Sequence, residues 1–262
     1  MKIDRLTLMD LYTDYQICSF DKIEMTKLSA MINKKYSHDV FTKLLSTPVN
    51  TEDTLTKKAK SLINEISKKY KLLLIADDTL LKKPYSNENN IIAHFYDNSE
   101  KKITKGINLL NFVVTPMSNF DKTIVPVAFE VIQKNVIYQN KYFQTKRKSE
   151  YTKNELFRDK LEYLVKYKKI NFEYILGDSW FASNENINYI NKINQKFFFR
   201  IKNNRLFAYS NEDKIKGNFS KISEINKSFS DCVIYLKGCD TPIRWLDYMS
   251  KTARKILNIL IL

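Results

Sequence analysis

The chain has 262 residues and a formal net charge of +15, from 44 Lys and Arg against 29 Asp and Glu. Apolar residues make up 44% and charged residues 28%, with only 4 Gly and 5 Pro, which excludes disordered, collagen-like and low-complexity chains. No apolar run reaches the roughly 18–20 residues that a membrane span requires, and the segment Met1 to Arg5 is not typical of a signal peptide, so we expect a soluble, cytoplasmic protein.

Residues 1–70 predict a helical N-terminal region, because apolar positions recur there at helical spacing. A third helix begins after Pro48, where Thr51, Glu52 and Asp53 suit the positive end of a helix dipole. Its apolar side is formed by Leu55, Ala59, Leu62, Ile63 and Ile66.

After Tyr70, short continuous apolar runs replace the helical period, which indicates buried strands. Pro126 favours an edge position for the third of them, because proline cannot donate a hydrogen bond to a neighbouring strand. The predicted strands and helices, in chain order, are a strand over 71–77, strands over 106–115 and 123–132, a helix from 152 or 153 to about 168, a strand over 172–178, a helix over 183–194, and strands over 195–201 and 231–236.

This order predicts the α/β class, with a mixed sheet flanked by helices. We divide the chain into the N-terminal helical region, a core over 71–204, and a remainder over 205–262 with an unusual apolar end. That end is either a buried final helix or strand, or the product of a shifted frame or an interrupted gene; we expect the second.

Acidic side chains follow two of the predicted strands. Asp77 and Asp78 come after the first, and Asp178 comes after the strand over 172–178. Carboxylates at neighbouring strand ends can converge on one crevice, and they are oxygen ligands suited to Mg²⁺. Metal-assisted phosphodiester chemistry is one interpretation; a turn former or a helix N-cap is the other. A haloacid-dehalogenase-like site is excluded, because it needs two aspartates separated by one residue.

The basic excess favours a polyanionic partner, first of all nucleic acid, although a genome rich in A and T codons also enriches lysine. The densest basic run is Lys146, Arg147 and Lys148, which either contacts DNA phosphates or is a solvated loop. We expect Arg200 and Lys202, which follow another predicted strand, to extend the same surface. Trp180 either stacks on an unpaired base or packs against the protein.

Two segments resemble a known family. Leu74-Ile-Ala-Asp-Asp-Thr79, followed by Lys82 or Lys83, is similar to the first catalytic segment of bacterial insertion-sequence transposases of the DDE class. The segment Tyr174-Ile-Leu-Gly-Asp-Ser-Trp-Phe181 is similar to the second. The order of elements also resembles the ribonuclease H-like core of that family. The resemblance covers roughly residues 1–240, and within the remainder over 205–262 it likens the region from Arg205 to about Leu236 to the start of a strand-rich insertion.

The resemblance implies DNA transposition, which is metal-dependent cleavage and strand transfer at transposon ends. It implies Asp78 and Asp178 as the catalytic residues and as ligands of Mg²⁺ or Mn²⁺, with Asp77 as the alternative to Asp78. The implied partner is double-stranded DNA, of both transposon ends and target, with a homodimer on the DNA as one option. No membrane partner is implied, and the implied location is the bacterial cytoplasm, with the nucleoid.

The third acid of that family is a Glu in a Tyr-x-x-Arg-x-x-x-Glu pattern, and the chain has no such pattern. The late acids Glu224, Asp240 and Asp247 lack the right neighbours, so we assign no third residue. We therefore expect that this chain does not complete transposition alone. The alternatives are a non-catalytic DNA-binding remnant and a general metal nuclease.

Overall fold

The computed structural model describes residues 4–20, 22–47, 51–225, 231–249 and 256–261. The chain divides into two compact units, of which the first ends at Thr51 and the second begins at Glu52. Among the described residues, no helix has the length and apolar character needed to cross a membrane.

The first unit consists of three helices, as the spacing of apolar residues predicts. They are α1 (Arg5–Cys18), α2 (Met25–Met31) and α3 (His38–Ser46). Asp4 caps α1 by accepting a hydrogen bond from the backbone N–H of Leu6 at 3.3 Å. A small core holds the helices together through the buried side chains of Leu8, Tyr15, Leu28, Phe41 and Leu44.

The second unit begins with α4 (Thr51–Ser67), which sequence analysis places in the N-terminal region. Its side chains Ala59, Ile63 and Ile66 belong to the same buried core as the central strands. The Oγ1 of Thr56 donates a hydrogen bond to the carbonyl of Val127 at 3.0 Å. The helix therefore packs with the sheet that follows it.

After α4 the chain forms six strands in succession and then a mixture of helices and strands. The strands are β1 (Leu72–Lys82), β2 (Ala93–Asp97), β3 (Lys102–Pro116), β4 (Val125–Val131), β5 (Val136–Gln139), β6 (Thr145–Lys148), β7 (Tyr174–Gly177), β8 (Lys196–Arg200), β9 (Leu206–Ala208), β10 (Ser220–Lys221), β11 (Asp231–Leu236), β12 (Ile243–Met249) and β13 (Ile256–Ile261). The helices are α5 (Lys153–Glu162), continued by a π-helical turn over Tyr163–Tyr167, then α6 (Asn184–Lys192) and α7 (Asn211–Lys216).

The strand β1 lies in the middle of a mixed sheet. It pairs antiparallel with β3 on one side and parallel with β7 on the other, and β7 pairs parallel with β8. The strand β3 also pairs antiparallel with β2 and β4. Residues of α4 and α5 belong to the same buried core as these strands. This arrangement confirms the predicted α/β class, with a mixed sheet flanked by helices.

The remainder of the chain adds further strands to this sheet. The strand β13 lies between β12 and β8, and the order continues through β11, β9 and β10. The region after residue 204 thus contains the strands β9 to β13. Within the apolar end, Ile256–Ile261 forms strand β13; the shifted frame or interrupted gene stays a prediction.

Three differences from the predicted elements have physical causes. The strand β1 continues to Lys82 because β3 pairs with it along its whole length. The strand β2 alternates buried and exposed residues, so it lacks the continuous apolar run that marks a buried strand. The strands β5 and β6 form a separate two-stranded hairpin. Because β6 contains no apolar residue, no apolar pattern in the sequence predicts this strand.

An aromatic cluster fills the space between α5 and the sheet. Phe157 of α5 is fully buried, with its ring centroid 5.9 Å from that of Phe112, 5.1 Å from that of Phe181 and 6.4 Å from that of Phe199. A capping box places the start of α5, in which Thr152 and Glu155 exchange side chain to backbone hydrogen bonds of 3.2 and 2.7 Å.

We expect Phe157→Ala to lower the free energy of unfolding by about 3–5 kcal/mol, because it leaves a cavity where three rings meet. Urea unfolding followed by circular dichroism measures the change. The control is Phe120→Ala, since this side chain is 95% exposed and its loss should change little. Equal unfolding midpoints for the two variants would contradict the role of the cluster.

Candidate active site

The pairing of β1 with β7 brings the two acidic segments together. Ile75 pairs with Leu176, and Ala76 pairs with Gly177. Asp77 and Asp178 are the residues that follow Ala76 and Gly177 in the chain. Residues at the same level of neighbouring parallel strands point to the same face. Accordingly, both aspartates lie at one open pocket of about 320 Å³, at the carboxyl ends of the strands. The pocket is lined by Ile75, Ala76, Asp77, Leu176, Gly177, Asp178, Phe198 and Arg200.

Gly177 is required by the close approach of aromatic rings. A Cβ at this position would lie 3.0 Å from Cε1 of Phe199 and 3.3 Å from Cδ2 of Phe181. The absence of a side chain at Gly177 therefore lets the end of β7 pack closely against Phe181 and Phe199. Asp178 is the next residue.

Asp178 forms the turn that follows β7 but does not cap the next helix. Its Oδ1 accepts a hydrogen bond from the N–H of Trp180 at 2.8 Å, and its carbonyl accepts one from Phe181 at 3.2 Å. The N-cap of α6 is Ser183, whose Oγ accepts a hydrogen bond from the N–H of Asn186 at 3.2 Å. The turn orients the carboxylate of Asp178, and the helix-cap interpretation of this residue is wrong.

Asp78 has different partners from Asp77. Its Oδ2 accepts a hydrogen bond from Nζ of Lys153 at 2.6 Å and another from Nδ2 of Asn108 at 3.2 Å. Successive side chains of a strand point to opposite faces, so Asp78 faces away from the pocket that Asp77 lines. The resemblance assigns Asp78 as the first acid, whereas the geometry places Asp77 with Asp178.

Lys153 and Asn108 are site residues that sequence analysis did not identify. Lys153 begins α5, and its side chain and that of Asp78 are both about three-quarters buried, with 24% and 25% exposed. Asn108 lies on β3, opposite Leu80 of β1 and diagonal to Asp78. The sequence marks Lys153 only as a lysine at the start of a predicted helix. Nothing in the neighbouring residues indicates that its side chain contacts Asp78 of β1.

The pKa of the Asp77 carboxyl is raised above its ordinary value. Partial burial is the largest cause, followed among the raising effects by the negative charges of Asp78 and Asp178. The hydrogen bond of 2.9 Å from the N–H of Asp78, and the charge of Lys153, act in the opposite direction. The carboxylates therefore repel one another, and a bound cation would relieve this repulsion.

Trp180 lies beside the site between two lysines. The Nζ of Lys202 is 5.1 Å from the ring centroid, and the Nζ of Lys153 is 5.6 Å from it. The side chain is 51% exposed, so it is not a core residue. Arg200 lines the pocket itself. Arg200 therefore lies at the pocket of the two carboxylates and Lys202 lies beside Trp180, while contact of either residue with DNA stays a prediction.

The basic run Lys146, Arg147 and Lys148 is strand β6, not a loop. Arg147 Nη1 donates a hydrogen bond to Oδ1 of Asn90 at 2.8 Å, while both lysines are exposed. None of the three lines the pocket that holds Asp77 and Asp178.

No third acid joins the pair in the part of the chain that the structure describes, where no group of three metal-binding side chains occurs. Glu224 accepts a hydrogen bond from the N–H of Lys221 at 3.1 Å, and Asp240 follows β11; neither lines the pocket. The side chain of Asp247 lies outside the described residues.

The side-chain oxygens that line the pocket, and could bind a metal ion, are the carboxylate oxygens of Asp77 and Asp178. Mg²⁺ is commonly held by one or two carboxylates together with water and substrate phosphate, so Asp77 and Asp178 suit this ion or Mn²⁺ by their chemistry. Partial burial, and after it the negative charges of Asp78 and Asp178, raise the pKa of Asp77, and a cation at the pocket would stabilise its ionised form.

We expect Asp77→Asn to stabilise the protein at neutral pH. A raised pKa means that the ionised carboxylate destabilises the folded state above that pKa, and that this penalty disappears as the pH falls below the ordinary value of 3.8. The variant should therefore unfold at a higher temperature than the parent at neutral pH, with a difference that shrinks towards acid. Mg²⁺ should raise the melting temperature of the parent more than that of the variant.

The control is Asp121→Asn, which should act in the opposite direction. Hydrogen bonds from Thr123 lower the pKa of Asp121, so its ionised form stabilises the fold, and this variant should lose stability at neutral pH. A lower melting temperature for Asp77→Asn at neutral pH would show that Asp77 does not experience this repulsion.

No protein-family model and no curated protein sequence matches the chain. Similar solved structures include an Endonuclease V from Ciona intestinalis in complex with DNA, at 12% identity and a TM-score of 0.35, over 82% of this chain and 83% of that one. A Mos1 mariner paired end complex with Mn has 11% identity and a TM-score of 0.24, over 75% of this chain and 59% of that one. A Drosophila P element transposase strand transfer complex has 13% identity and a TM-score of 0.22, over 73% and 42%. The chain spans less than two thirds of either transposase, and likeness at these values assigns no family or activity.

Proposed function

We propose that this chain cleaves double-stranded DNA in the manner of a transposase, with a divalent metal ion. The observation that carries the proposal is the pair Asp77 and Asp178, which line one pocket at the carboxyl ends of two parallel strands. The net charge of +15 supports a polyanionic substrate. The resemblance of both acidic segments to DDE transposases supports transposon ends and target DNA as that substrate.

Asp77 and Asp178 would hold Mg²⁺ or Mn²⁺, which when bound supplies positive charge to the reacting phosphodiester. Arg200 lies at the same pocket and is suited to bind a phosphate oxygen through its guanidinium. For cleavage, water attacks the phosphorus in line and the bond from phosphorus to the 3′ oxygen breaks; the water loses a proton to solvent and the leaving oxygen gains one. For joining, a 3′ hydroxyl attacks in the same way and displaces the 3′ oxygen of the target strand. The turn hydrogen bond from Trp180 holds the carboxylate of Asp178 in place during these steps.

Asp78 has a separate place in the proposal. Lys153 and Asn108 bind the carboxylate of Asp78, so in this geometry Asp78 acts as a positioning residue for its neighbour Asp77. The resemblance implies instead that the side chain of Asp78 turns towards the pocket and binds the metal ion. Substitution of each aspartate separately decides between these roles.

The surface that binds DNA is proposed to combine Arg200 and Lys202 beside the pocket with the basic run of β6. Lys202 borders Trp180, and Lys146 and Lys148 are exposed. A dimer on the DNA belongs to the proposal only through the resemblance.

A second candidate is DNA binding without cleavage. It is favoured by one observation: within the described residues no third acid lines the pocket with Asp77 and Asp178. Two carboxylates leave a two-metal site with fewer protein ligands than that mechanism uses.

We expect the purified chain to nick supercoiled DNA in Mg²⁺ or Mn²⁺, and to lose this activity by about 100-fold or more in Asp178→Asn, because charge stabilisation of the transition state depends on the bound ion. Asp77→Asn should cause a similar loss if the geometry identifies the first acid. If Asp78 is that acid, Asp78→Asn is inactive and Asp77→Asn is not. Agarose gels and single-turnover rates measure these effects.

The matched control is Asp240→Asn, an exposed acid that does not line the pocket. Unchanged nicking in Asp77→Asn, Asp78→Asn and Asp178→Asn would refute the active-site assignment. Tight DNA binding without nicking by the parent chain would establish the second candidate.

We also expect DNA affinity to fall steeply with salt, with a slope of about −0.9 in log affinity against log salt for each phosphate contact. The double variant Arg200→Gln and Lys202→Gln should reduce that slope by about 1.8 if both residues contact phosphates. The double variant Lys57→Gln and Lys58→Gln changes the charge equally on the exposed side of α4 and should leave the slope unchanged. Equal slopes for the two double variants would remove Arg200 and Lys202 from the DNA-binding surface.

A further inference from the structure

The hairpin formed by β5 and β6 is basic and almost entirely exposed. Between Val131 and Ser149 the chain has five cations and no acid: Lys134, Lys141, Lys146, Arg147 and Lys148. The two strands form a sheet of their own, separate from the large sheet of the second unit. A two-stranded hairpin gains little stability from its own pairing, so its persistence depends on how it is attached.

The base of the hairpin is attached firmly to the body of the unit. The N–H of Lys134 donates a hydrogen bond to the carbonyl of Asn90 at 2.7 Å, and Arg147 donates to the side chain of the same asparagine at 2.8 Å. Asn135 Nδ2 donates to Glu150 at 3.0 Å, across the two ends of the hairpin. The ribbon is therefore held at one end and free at the other.

The free end carries two exposed aromatic side chains. Tyr142 is 68% exposed and Phe143 is 85% exposed, although aromatic side chains of this size are normally at least partly buried. Phe143 also has a φ of +57°, a left-handed conformation that favours glycine and strains other residues. A glycine at this position would be both less strained and less prone to aggregation.

Asn140 builds the turn that presents these rings. Its Oδ1 accepts hydrogen bonds from the N–H groups of Tyr142 at 2.9 Å and Gln144 at 3.0 Å, and its Nδ2 donates to the side chain of Gln144 at 3.0 Å. The backbone of the tip is thus ordered without any contribution from the ring of Phe143. The strain at this residue maintains an exposed ring at a defined place, which points to a ligand for the ring.

We propose that the hairpin over Val136–Lys148 is a DNA-inserting ribbon, in which Phe143 and Tyr142 enter between base pairs of duplex DNA while the lysines bind the flanking phosphates. Apolar side chains inserted between base steps unstack and kink duplex DNA, and a two-stranded ribbon fits a groove. The proposal rests on the proposed function only in taking duplex DNA as the ligand.

The charge distribution favours DNA over a protein partner. Lys141 lies 5.0 Å from the ring of Tyr142, and Lys146 lies opposite Tyr138 in the strand pairing, so cations line the ribbon right up to the aromatic tip. A protein-binding hot spot is typically depleted in lysine, whereas a ribbon that follows a phosphate backbone needs it.

The test is Phe143→Gly in the full chain, with a short duplex that carries 2-aminopurine, whose fluorescence rises when the base is unstacked. EDTA is present throughout, so the readout does not depend on cleavage. We expect the parent to raise the fluorescence severalfold. The variant should lose this increase and bind about tenfold more weakly, while melting at a higher temperature because the left-handed backbone no longer carries a side chain.

The control is Phe120→Ala, which removes an equally exposed ring outside the hairpin and should leave both fluorescence and affinity unchanged. Asp178→Asn should keep the full fluorescence increase, so a failure of the proposed active site is distinguishable from a failure of this inference. The inference is overturned if the parent binds duplex without unstacking, if it binds only single strands, if Phe143→Gly keeps the signal, or if that variant melts at a lower temperature and has lost the signal only through unfolding.

Discussion

The parallel register between β1 and β7 is the constraint on which the candidate site depends. It places Asp77 one residue past the pair formed by Ala76 and Gly177, level with Asp178. Because side chains alternate along a strand, a shift of one residue would put Asp78 in the pocket and Asp77 on the side of α5. The register is in turn fixed by the core, since Leu74 and Ile175 are fully buried beside each other.

The carboxylates on the two faces of β1 differ in how their negative charge is compensated. On the side of α5, a lysine and an asparagine compensate the charge of Asp78 within a partly buried setting. On the pocket side, Asp77 and Asp178 accept hydrogen bonds from backbone N–H groups at 2.9 and 2.8 Å, and the pKa of Asp77 is raised by partial burial and then by the negative charges of Asp78 and Asp178. A carboxylate left partly uncompensated destabilises the fold, and such groups are typical of functional sites rather than of structural ion pairs.

Much of the fold could be predicted from the sequence because its core strands are continuous apolar runs. The segments around Leu74, Phe112, Ile175 and Phe199 were all identified as strands in this way, and the pair of acidic strand ends followed from them. The choice between Asp77 and Asp78 could not be predicted, since it depends on a register between strands about a hundred residues apart in sequence. Lys153 escaped detection for the same reason, because its ion pair is a tertiary contact. The hairpin of β5 and β6 was not predicted because backbone pairing, rather than burial of apolar side chains, stabilises it.

In the proposed function, the excess of positive charge and the paired carboxylates act in opposition. A polyanion approaching Asp77 and Asp178 meets a negative pocket, although Arg200 is among the residues that line it. A cation held between the carboxylates removes that repulsion, and a phosphate at the pocket in turn adds oxygen ligands for the cation. Each ligand therefore lowers the electrostatic cost of binding the other, and by thermodynamic linkage the effect is reciprocal. The basic hairpin lies outside this balance, since its cations are not among the residues at the pocket, so it can contribute affinity for DNA that does not depend on the metal.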